Sequence, residues 1–543
     1  MTRTPVLNAW LAVVIVLVGI RLGTVPLMDA DEGRNAEVAR EMAETNDYVM
    51  PRLNGLPYLD KPVVYFAAAA AVMEVHGPTE LAARLPAYTF TLATMFVLFL
   101  FARRMWGDEA GLVAAIAFMS MPLTIAFARI VIFDSALTFF VTVALLAMLL
   151  AVEESSSRWS VLAWAAMGLA MITKGPVVFV LVLFVTVPYA IWQKRLRFLF
   201  PLTGLVLFAA SVVPWVWGVS DVVPEFLRYV LVTETVERMA TKALQRTGPP
   251  WYFVPYMLFG ALPWSFVLLA SWRELRKRDR LVVFLLLAVL IPLVFFSISQ
   301  SKRPQYVLPL MAPLALLVAR IWPEVKTRAA AIVLAVLGVT LLALPLFVER
   351  FRMKPEIAEV VPGTALALGA AALAGAMLAL FGRRRELVLI GLTLPMVALP
   401  VLSTQLMKGI AQRRSAKAFV AQLGPYLTPE TSIVGVEAFT GSMQFYLRRP
   451  VTLLTPNATE MTSNYLVRRY DRYVSNPASP IKPLSRLDAS LRECCSPRIY
   501  IVRQKDPEHQ VSLEARGLHR IASSAHHVAY GPWRGPNTMR PRD

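Results

Sequence analysis

Along most of this chain, apolar residues do not alternate with polar ones. They run on in stretches of about twenty, with the charges confined to the gaps between them. A helix of that length spans the hydrocarbon core of a bilayer. The pattern predicts membrane helices near residues 7–25, 80–102, 109–127, 133–152, 160–174, 177–193, 199–218, 252–271, 281–299, 305–321, 329–347, 363–381 and 387–403, about thirteen spans in all. The pattern changes near residue 410. From there to residue 543 charges occur throughout, and short runs such as Ser432–Val436 and Arg498–Val502 read as strands, with helical stretches such as 415–423 between them. The expected architecture is a polytopic α-helical membrane domain over residues 1–408, followed by a small soluble α/β domain over 409–543. No glycine-rich phosphate loop opens a helix in the tail, which reads as a cap or docking domain.

Composition supports the membrane reading and changes the meaning of the charge. Of 543 residues, 57% are hydrophobic and only 17% charged, too few charges to cover the surface of a soluble protein of this size. The net charge of +19 would point to nucleic acid in a soluble chain. Here the basic residues gather in short alternate loops, among them Arg103-Arg104, Lys194-Arg195-Leu196-Arg197, Arg276-Lys277-Arg278 and Arg383-Arg384-Arg385. That is the signature of cytoplasmic loops, so the expected partners are membrane lipids and phosphate-bearing substrates, with no nucleic acid. The outer loops are then 26–79, 128–132, 219–250, 300–304 and 348–362, and the tail also falls outside, on the periplasmic side of a bacterial inner membrane. The first apolar run leads into Arg21 and an acidic segment without a small-residue cleavage site, so it reads as an uncleaved helix. Cys494 and Cys495 are neighbours and offer neither metal-ligand spacing nor a disulfide framework.

Candidate chemistry collects on the outer side. In loop 26–79, Ala36, Ala39, Met42 and Ala43 share a helical face, which predicts an amphipathic helix lying along the membrane surface, with Asp31 and Arg34 together near its start. Taken alone, a solvated helix laced with ion pairs accounts for that segment. Tyr58-Leu59-Asp60-Lys61-Pro62 fits an anchor at head-group level, and Lys174 fits a snorkelling lysine near a helix end. Asp134 opens an otherwise apolar helix. A carboxylate at that depth is costly and marks a functional site, against the plainer readings of a helix N-cap or an ion pair with Arg129. Lys302 and Arg303, followed by Tyr306, break the rule of basic loops inside, which has a reason if an anion binds outside. Several acids and several bases at one membrane interface suit a lipid phosphate. Cations neutralise the leaving phosphate, and a carboxylate orients or deprotonates the acceptor.

These segments carry a resemblance. Asp31-Glu32-Gly33-Arg34-Asn35-Ala36-Glu37, Tyr58-Leu59-Asp60-Lys61-Pro62, Arg129 to Asp134, Thr173-Lys174-Gly175-Pro176, Trp251-Tyr252 with Leu262-Pro263-Trp264, Pro304-Gln305-Tyr306-Val307-Leu308-Pro309 and Phe445 to Val451 follow one another in the order and spacing of the GT-C membrane glycosyltransferases. The chain most closely resembles the bacterial aminoarabinose transferases that modify lipid A, within the superfamily that also holds the protein O-mannosyltransferases. The resemblance implies a sugar donor carried on polyprenyl phosphate, transfer to a lipid or protein acceptor in the periplasm, and inversion at the anomeric carbon. It matches Asp31 and Asp134 to the family's catalytic aspartates, and Arg34, Lys61 and Tyr306 to positions around donor phosphate and acceptor. Placing Lys174, Lys302 and Arg303 beside them rests on charge and side alone.

The chain also departs from the family. Thr235 stands where the aminoarabinose transferases carry a zinc-binding histidine, Asp60 replaces the other zinc ligand, a glutamate, and Asn35 stands in place of a tyrosine. No cofactor is therefore expected with certainty. A divalent metal on Asp60, Glu234 or Glu237 is the one arrangement left open. Two rival functions also stay open at this stage: a protein O-glycosyltransferase of the same fold, and a lipid flippase or exporter. The second lacks an inverted repeat or a charged track across the bilayer.

Overall fold

The computed structural model describes residues 4–230, 232, 248–275, 279–351, 353–493 and 496–535. The chain divides into two compact units. One comprises residues 1–22 and 84–407, the other residues 23–83 and 408–543. Loop 26–79, expected as part of the membrane domain, thus belongs to the same unit as the tail.

The first unit is a helix bundle, and the protein is a multi-pass membrane protein. Every expected span coincides with apolar helix, but the segments differ in kind. Among the described residues eight helices are long and apolar enough to cross a membrane, and a bent pair makes a ninth. The helices Thr4–Gly19 and Val177–Trp192 are apolar but shorter. The expected span 109–127 is broken at Met121 into Asp108–Ser120 and Pro122–Phe127, because Pro122 opens a new helix and has no amide to continue the old one. The span 252–271 turns by 101° between Pro250–Gly260 and Trp264–Ala270. Trp264, from the Leu-Pro-Trp motif, is buried just after that bend and donates its indole N–H to Ser120 Oγ at 2.9 Å.

Burial sorts the helices by environment. Ala110 to Ser120 are all buried, as is nearly all of Asp134–Glu153, so these two helices form the interior of the unit. Leu202–Val222 and Arg328–Ala343 leave leucine, valine and tryptophan side chains exposed, Trp217 and Val336 among them. Apolar surface of that extent suits contact with lipid. The end of the first helix is held from within the unit. Arg129 donates to the carbonyls of Val18 and Ile20, and Arg84 to that of Leu22. These cations sit where a helix C-terminus presents unpaired carbonyls.

The second unit joins the 23–83 segment to an α/β sheet. Residues Asp31–Thr45 form a helix, as expected, but not a solvated one: Glu32 to Met42 are buried on every face. The helix is enclosed by Val64–His76 and Gly441–Leu447, and its charges are paired inward, Arg40 gripping both carboxylate oxygens of Glu37 at 2.6 and 2.7 Å. A short hairpin follows, β1 (Arg52–Leu53) and β2 (Leu56–Pro57), turned at Asn54-Gly55. Both turn residues have positive φ, 55° and 75°, which Asn-Gly adopts readily. Glu41 accepts both turn amides, and the Asn54 side chain bonds the backbone N–H and C=O of Val451.

The tail contributes six strands: β3 (Ser432–Val436), β4 (Val451–Thr455), β5 (Ile481–Pro483), β6 (Arg498–Arg503), β7 (Arg520–Ser523) and β8 (His527–Trp533). Their order across the sheet is β5-β4-β3-β6-β8-β7. The pairs among β5, β4, β3 and β6 are parallel, and β8 runs antiparallel to both β6 and β7. Alternate residues of the central strands, including Val434, Val436, Leu454, Tyr500 and Val502, pack with Leu487, Leu491 and Leu513 into one core.

Candidate functional site

The residues singled out from sequence gather into two clusters, one in each unit. In the second unit, the first turn of helix Asp31–Thr45 sets Asp31 and Arg34 on one side, three residues apart. Arg34 Nη2 donates to Asp31 Oδ1 at 2.7 Å, and Nη1 donates to the carbonyl and the hydroxyl of Thr462, each at 2.8 Å. The guanidinium carbon lies 5.6 Å from the ring centre of Tyr58. Although burial opposes its charge, Tyr58, Asp31 and Asp60 hold Arg34 above the usual arginine range. Its Nε is buried and meets no acceptor among the described residues. Asp31 keeps 40% of its side chain exposed, against 11% for Arg34. The cluster therefore presents an accessible carboxylate fixed by a buried, incompletely satisfied cation. Lys61 donates to the backbone carbonyl of Asp60 and is only half-buried.

Asp60 has a structural part that its sequence context does not show. Its two carboxylate oxygens accept the backbone amides of Asn464 and Tyr465, at 2.8 and 3.0 Å. Those amides open the helix Asn464–Arg468, so Asp60 satisfies donors that the helix itself cannot. Asp60 thus acts as a cap for that helix across the unit. The other candidate ligands, Glu234 and Glu237, and Thr235 between them, lie outside the described residues, as do Cys494 and Cys495.

In the first unit, Asp134 is the first residue of helix Asp134–Glu153 but makes no side-chain cap, and the position before it is Phe133. Its partner is Lys174, not Arg129, which is committed to the carbonyls after the first helix. Lys174 is therefore not a snorkelling lysine. Its side chain is 14% exposed and that of Asp134 2%, and its ammonium pairs with the Asp134 carboxylate and lies 4.9 Å from the ring centre of Tyr306. Tyr306 in turn packs on Phe253 and Phe296, with ring centres 6.3 and 5.4 Å away. The structure thus brings together Asp134, Lys174 and Tyr306, which the sequence offered separately.

Lys302 departs from its expected role. It is buried, and its ammonium donates to the carbonyls of Ser297 and Ser299 at 2.7 Å each, with Phe296 at 3.5 Å. These carbonyls lie at the end of helix Arg280–Ile298, so Lys302 caps that helix with the donors a phosphate would need. Burial also lowers its pKa. Arg303 beside it is half-buried, and its carbonyl accepts the Tyr306 amide at 3.1 Å.

Sequence reasoning missed Thr462 and the Asn54-Gly55 turn held by Glu41. Thr462 fixes Arg34 from more than four hundred residues away, and nothing local marks it. Asn54-Gly55 and Glu41 did carry a signal, because Asn-Gly between apolar residues predicts a tight hairpin.

The helix bundle of the first unit and the small mixed sheet of the second have the fold of the GT-C membrane glycosyltransferases. The family described as dolichyl-phosphate-mannose-protein mannosyltransferase matches residues 60–217. Within that fold, the chain is similar to the bacterial aminoarabinose transferases. It superposes on ArnT from Cupriavidus metallidurans bound to undecaprenyl phosphate with a TM-score of 0.85 and 25% identity, covering 99% of this chain and 100% of that one. An undecaprenyl phosphate-alpha-4-amino-4-deoxy-L-arabinose arabinosyl transferase of Pseudomonas fluorescens is 33% identical over 305 residues, 54% of this chain and 56% of that protein. A Proteus mirabilis transferase of the same description is 30% identical over 305 residues, 54% of this chain and 55% of that protein. The chain thus spans about half the length of the curated relatives it matches.

Proposed function

We propose that this protein is an inverting glycosyltransferase of the bacterial inner membrane. It moves a sugar from a polyprenyl-phosphate donor to an acceptor on the periplasmic side. The names of its relatives favour aminoarabinose on undecaprenyl phosphate as the donor, and lipid A is the acceptor the sequence resemblance implies. The observation that carries this reading is the Asp31–Arg34 pair, an accessible carboxylate locked against a buried guanidinium whose Nε has no acceptor among the described residues. A buried, unsatisfied donor on a fixed cation suits an oxyanion.

In this reading Arg34 and the half-buried Lys61 hold the donor phosphate. The acceptor oxygen attacks the anomeric carbon from the face opposite that phosphate. The bond from the anomeric carbon to the phosphate oxygen breaks, and the electron pair leaves with polyprenyl phosphate, whose charge the cations offset. When the acceptor is a hydroxyl, Asp31 takes its proton. When it is a phosphate, no proton moves, and Asp31 orients the acceptor. Lys174, held by Asp134 over Tyr306, is a fixed cation of the first unit. No step is routed through a metal, and Lys302 takes no part.

The test is transfer of labelled sugar in membranes from a panel of polyprenyl-phosphate sugars, comparing wild type with Asp31→Asn. A loss of about a hundredfold or more is expected, the range for removing a general acid or base. Transfer at the wild-type rate by Asp31→Asn would overturn the assignment. Competition between lipid A and a Ser/Thr peptide then identifies the acceptor class.

A further inference from the structure

The parallel part of the tail sheet has a reversal at its centre. From β3 the chain steps to β4 and then β5 on one side, and then returns across β3 to place β6 on the other. Connections therefore leave β3 and β6 in opposite directions, and a crevice opens beyond their carboxyl ends. In open α/β sheets that crevice is where ligands bind. It is open here: a cavity of about 360 Å³ is lined by Glu437, Ala438 and Phe439, directly after β3, and by Arg503 and Lys505 at the end of β6. Arg413, Arg414 and Asp29 close it from the segments leading into the unit. Its volume suits a small molecule about the size of a monosaccharide derivative.

The lining charges define the ligand. Arg503 is paired with Glu437 at 2.9 Å, so these two offset each other. Glu460 accepts the Thr455 hydroxyl at 2.9 Å, and both Asp29 carboxylate oxygens accept from Ser442, through its amide and its hydroxyl. The carboxylates are thus turned to the protein. On the other side stand Arg413, Arg414 and Lys505. Lys505 is exposed, and Arg414 donates to the Asp29 backbone carbonyl at 3.3 Å, a bond that uses no counter-charge. Arg414 and Lys505 reach one crevice from two separate segments, and two such cations match the tetrahedral oxygens of a phosphate better than a planar carboxylate.

We infer that the crevice between β3 and β6 is a second anion site, binding a phosphomonoester on a sugar-sized group, either as a soluble sugar phosphate or as the exposed phosphate of a lipid headgroup. The cations it relies on, Arg414 and Lys505, are not those of the Asp31–Arg34 cluster, so the inference stands whether or not the transferase reading holds.

The experiment titrates the full-length protein in detergent with glucose 1-phosphate and with glucuronate, and the protein in nanodiscs of phosphatidylcholine with or without phosphatidic acid. The proposal expects saturable binding to a phosphate probe, weakened about tenfold or more by Arg414→Ala/Lys505→Ala, as loss of charged hydrogen bonds implies. Arg34→Ala/Lys61→Ala should leave it intact. Because Arg414 also braces the Asp29 backbone, Lys505→Ala alone, with an unchanged melting temperature and recovery in Lys505→Arg, separates binding from folding. Binding of glucose 1-phosphate identifies a soluble ligand, and binding only with phosphatidic acid identifies a headgroup. The inference is overturned by equal binding of glucuronate, by binding that survives Arg414→Ala/Lys505→Ala or is lost in Arg34→Ala/Lys61→Ala, or by no binding of any probe.

Discussion

Gly33 lies so close to Ser442 that a Cβ on it would stand 2.5 Å from the Ser442 amide nitrogen. The approach is reciprocal, since a Cβ on Gly441 would lie 2.3 Å from the Cα of Arg34. Two glycines thus let the helix bearing Asp31 and Arg34 meet the tail helix backbone to backbone. Gly33→Ala forces them apart and is expected to destabilise the protein by about 1–3 kcal/mol, the usual cost of overpacking. Thermal unfolding in detergent measures it. Gly363→Ala, where a Cβ meets nothing within 4 Å, is the control and should leave the transition in place.

The Asp134–Lys174 pair gives a second test. Both groups are largely shielded from solvent, with 2% and 14% of the side chains exposed. Removing one partner strands the other charge, which typically costs about 3–5 kcal/mol, whereas replacing both is far milder. Asp134→Asn and Lys174→Met are therefore each expected to lower the unfolding transition more than Asp134→Asn/Lys174→Met does. A double-mutant cycle gives the coupling. If the two single effects simply add, the pair is not an interacting unit.

What could be read from sequence follows what is local. Each apolar stretch predicts its own helix, because length and composition decide whether a segment suits lipid. The breaks at Pro122 and Pro263 are less visible, since proline also occurs inside intact helices here, as at Pro188 and Pro214. Asp31 and Arg34 are visible as an i, i+3 pair. That their helix is buried on all faces is not, because the helices enclosing it lie in other parts of the sequence and no periodicity records them. Asp60 and Lys302 show the same limit. A carboxylate or an ammonium two residues before a proline signals an unusual environment. Whether it receives two amides, donates to carbonyls or meets a ligand depends on contacts made only in the folded chain. The Asp134–Lys174–Tyr306 cluster was legible as three separate oddities and becomes one site only through packing.

Asp29 makes stability depend on pH. Burial pushes its carboxyl up to about 6 from an ordinary 3.8, against the hydrogen bonds from Ser442, with Glu32 adding repulsion. The folded state then holds this proton more tightly than the unfolded one. Its contribution is fully favourable below pH 4, declines as pH rises from 4 to 6, and is constant above that. A shift of this size corresponds to up to about 3 kcal/mol. Asp29→Asn should therefore gain stability relative to wild type as pH rises from 4 to 6.5. The difference between the two unfolding curves measures this and cancels groups that titrate in both, such as the buried His527. A flat difference would show that Asp29 is not protonated in that range.

Arg34 separates charge from geometry at the proposed donor site. Its guanidinium bonds Asp31 and Thr462 through two nitrogens and leaves Nε for a third acceptor, a fork that a lysine cannot reproduce. Arg34→Lys keeps the positive charge but cannot hold Asp31 and Thr462 while also meeting a phosphate. If charge alone stabilised the leaving phosphate, this variant would transfer sugar nearly as well as wild type. The fork predicts a fall in kcat/KM of about tenfold to a hundredfold, the effect of losing one or two charge-assisted hydrogen bonds. Arg34→Ala should fall further, because it removes the charge as well. Donor-concentration series on both variants, checked against their melting temperatures, distinguish the cases. Equal loss in the two variants would mean that the fork, not the charge, carries the whole contribution.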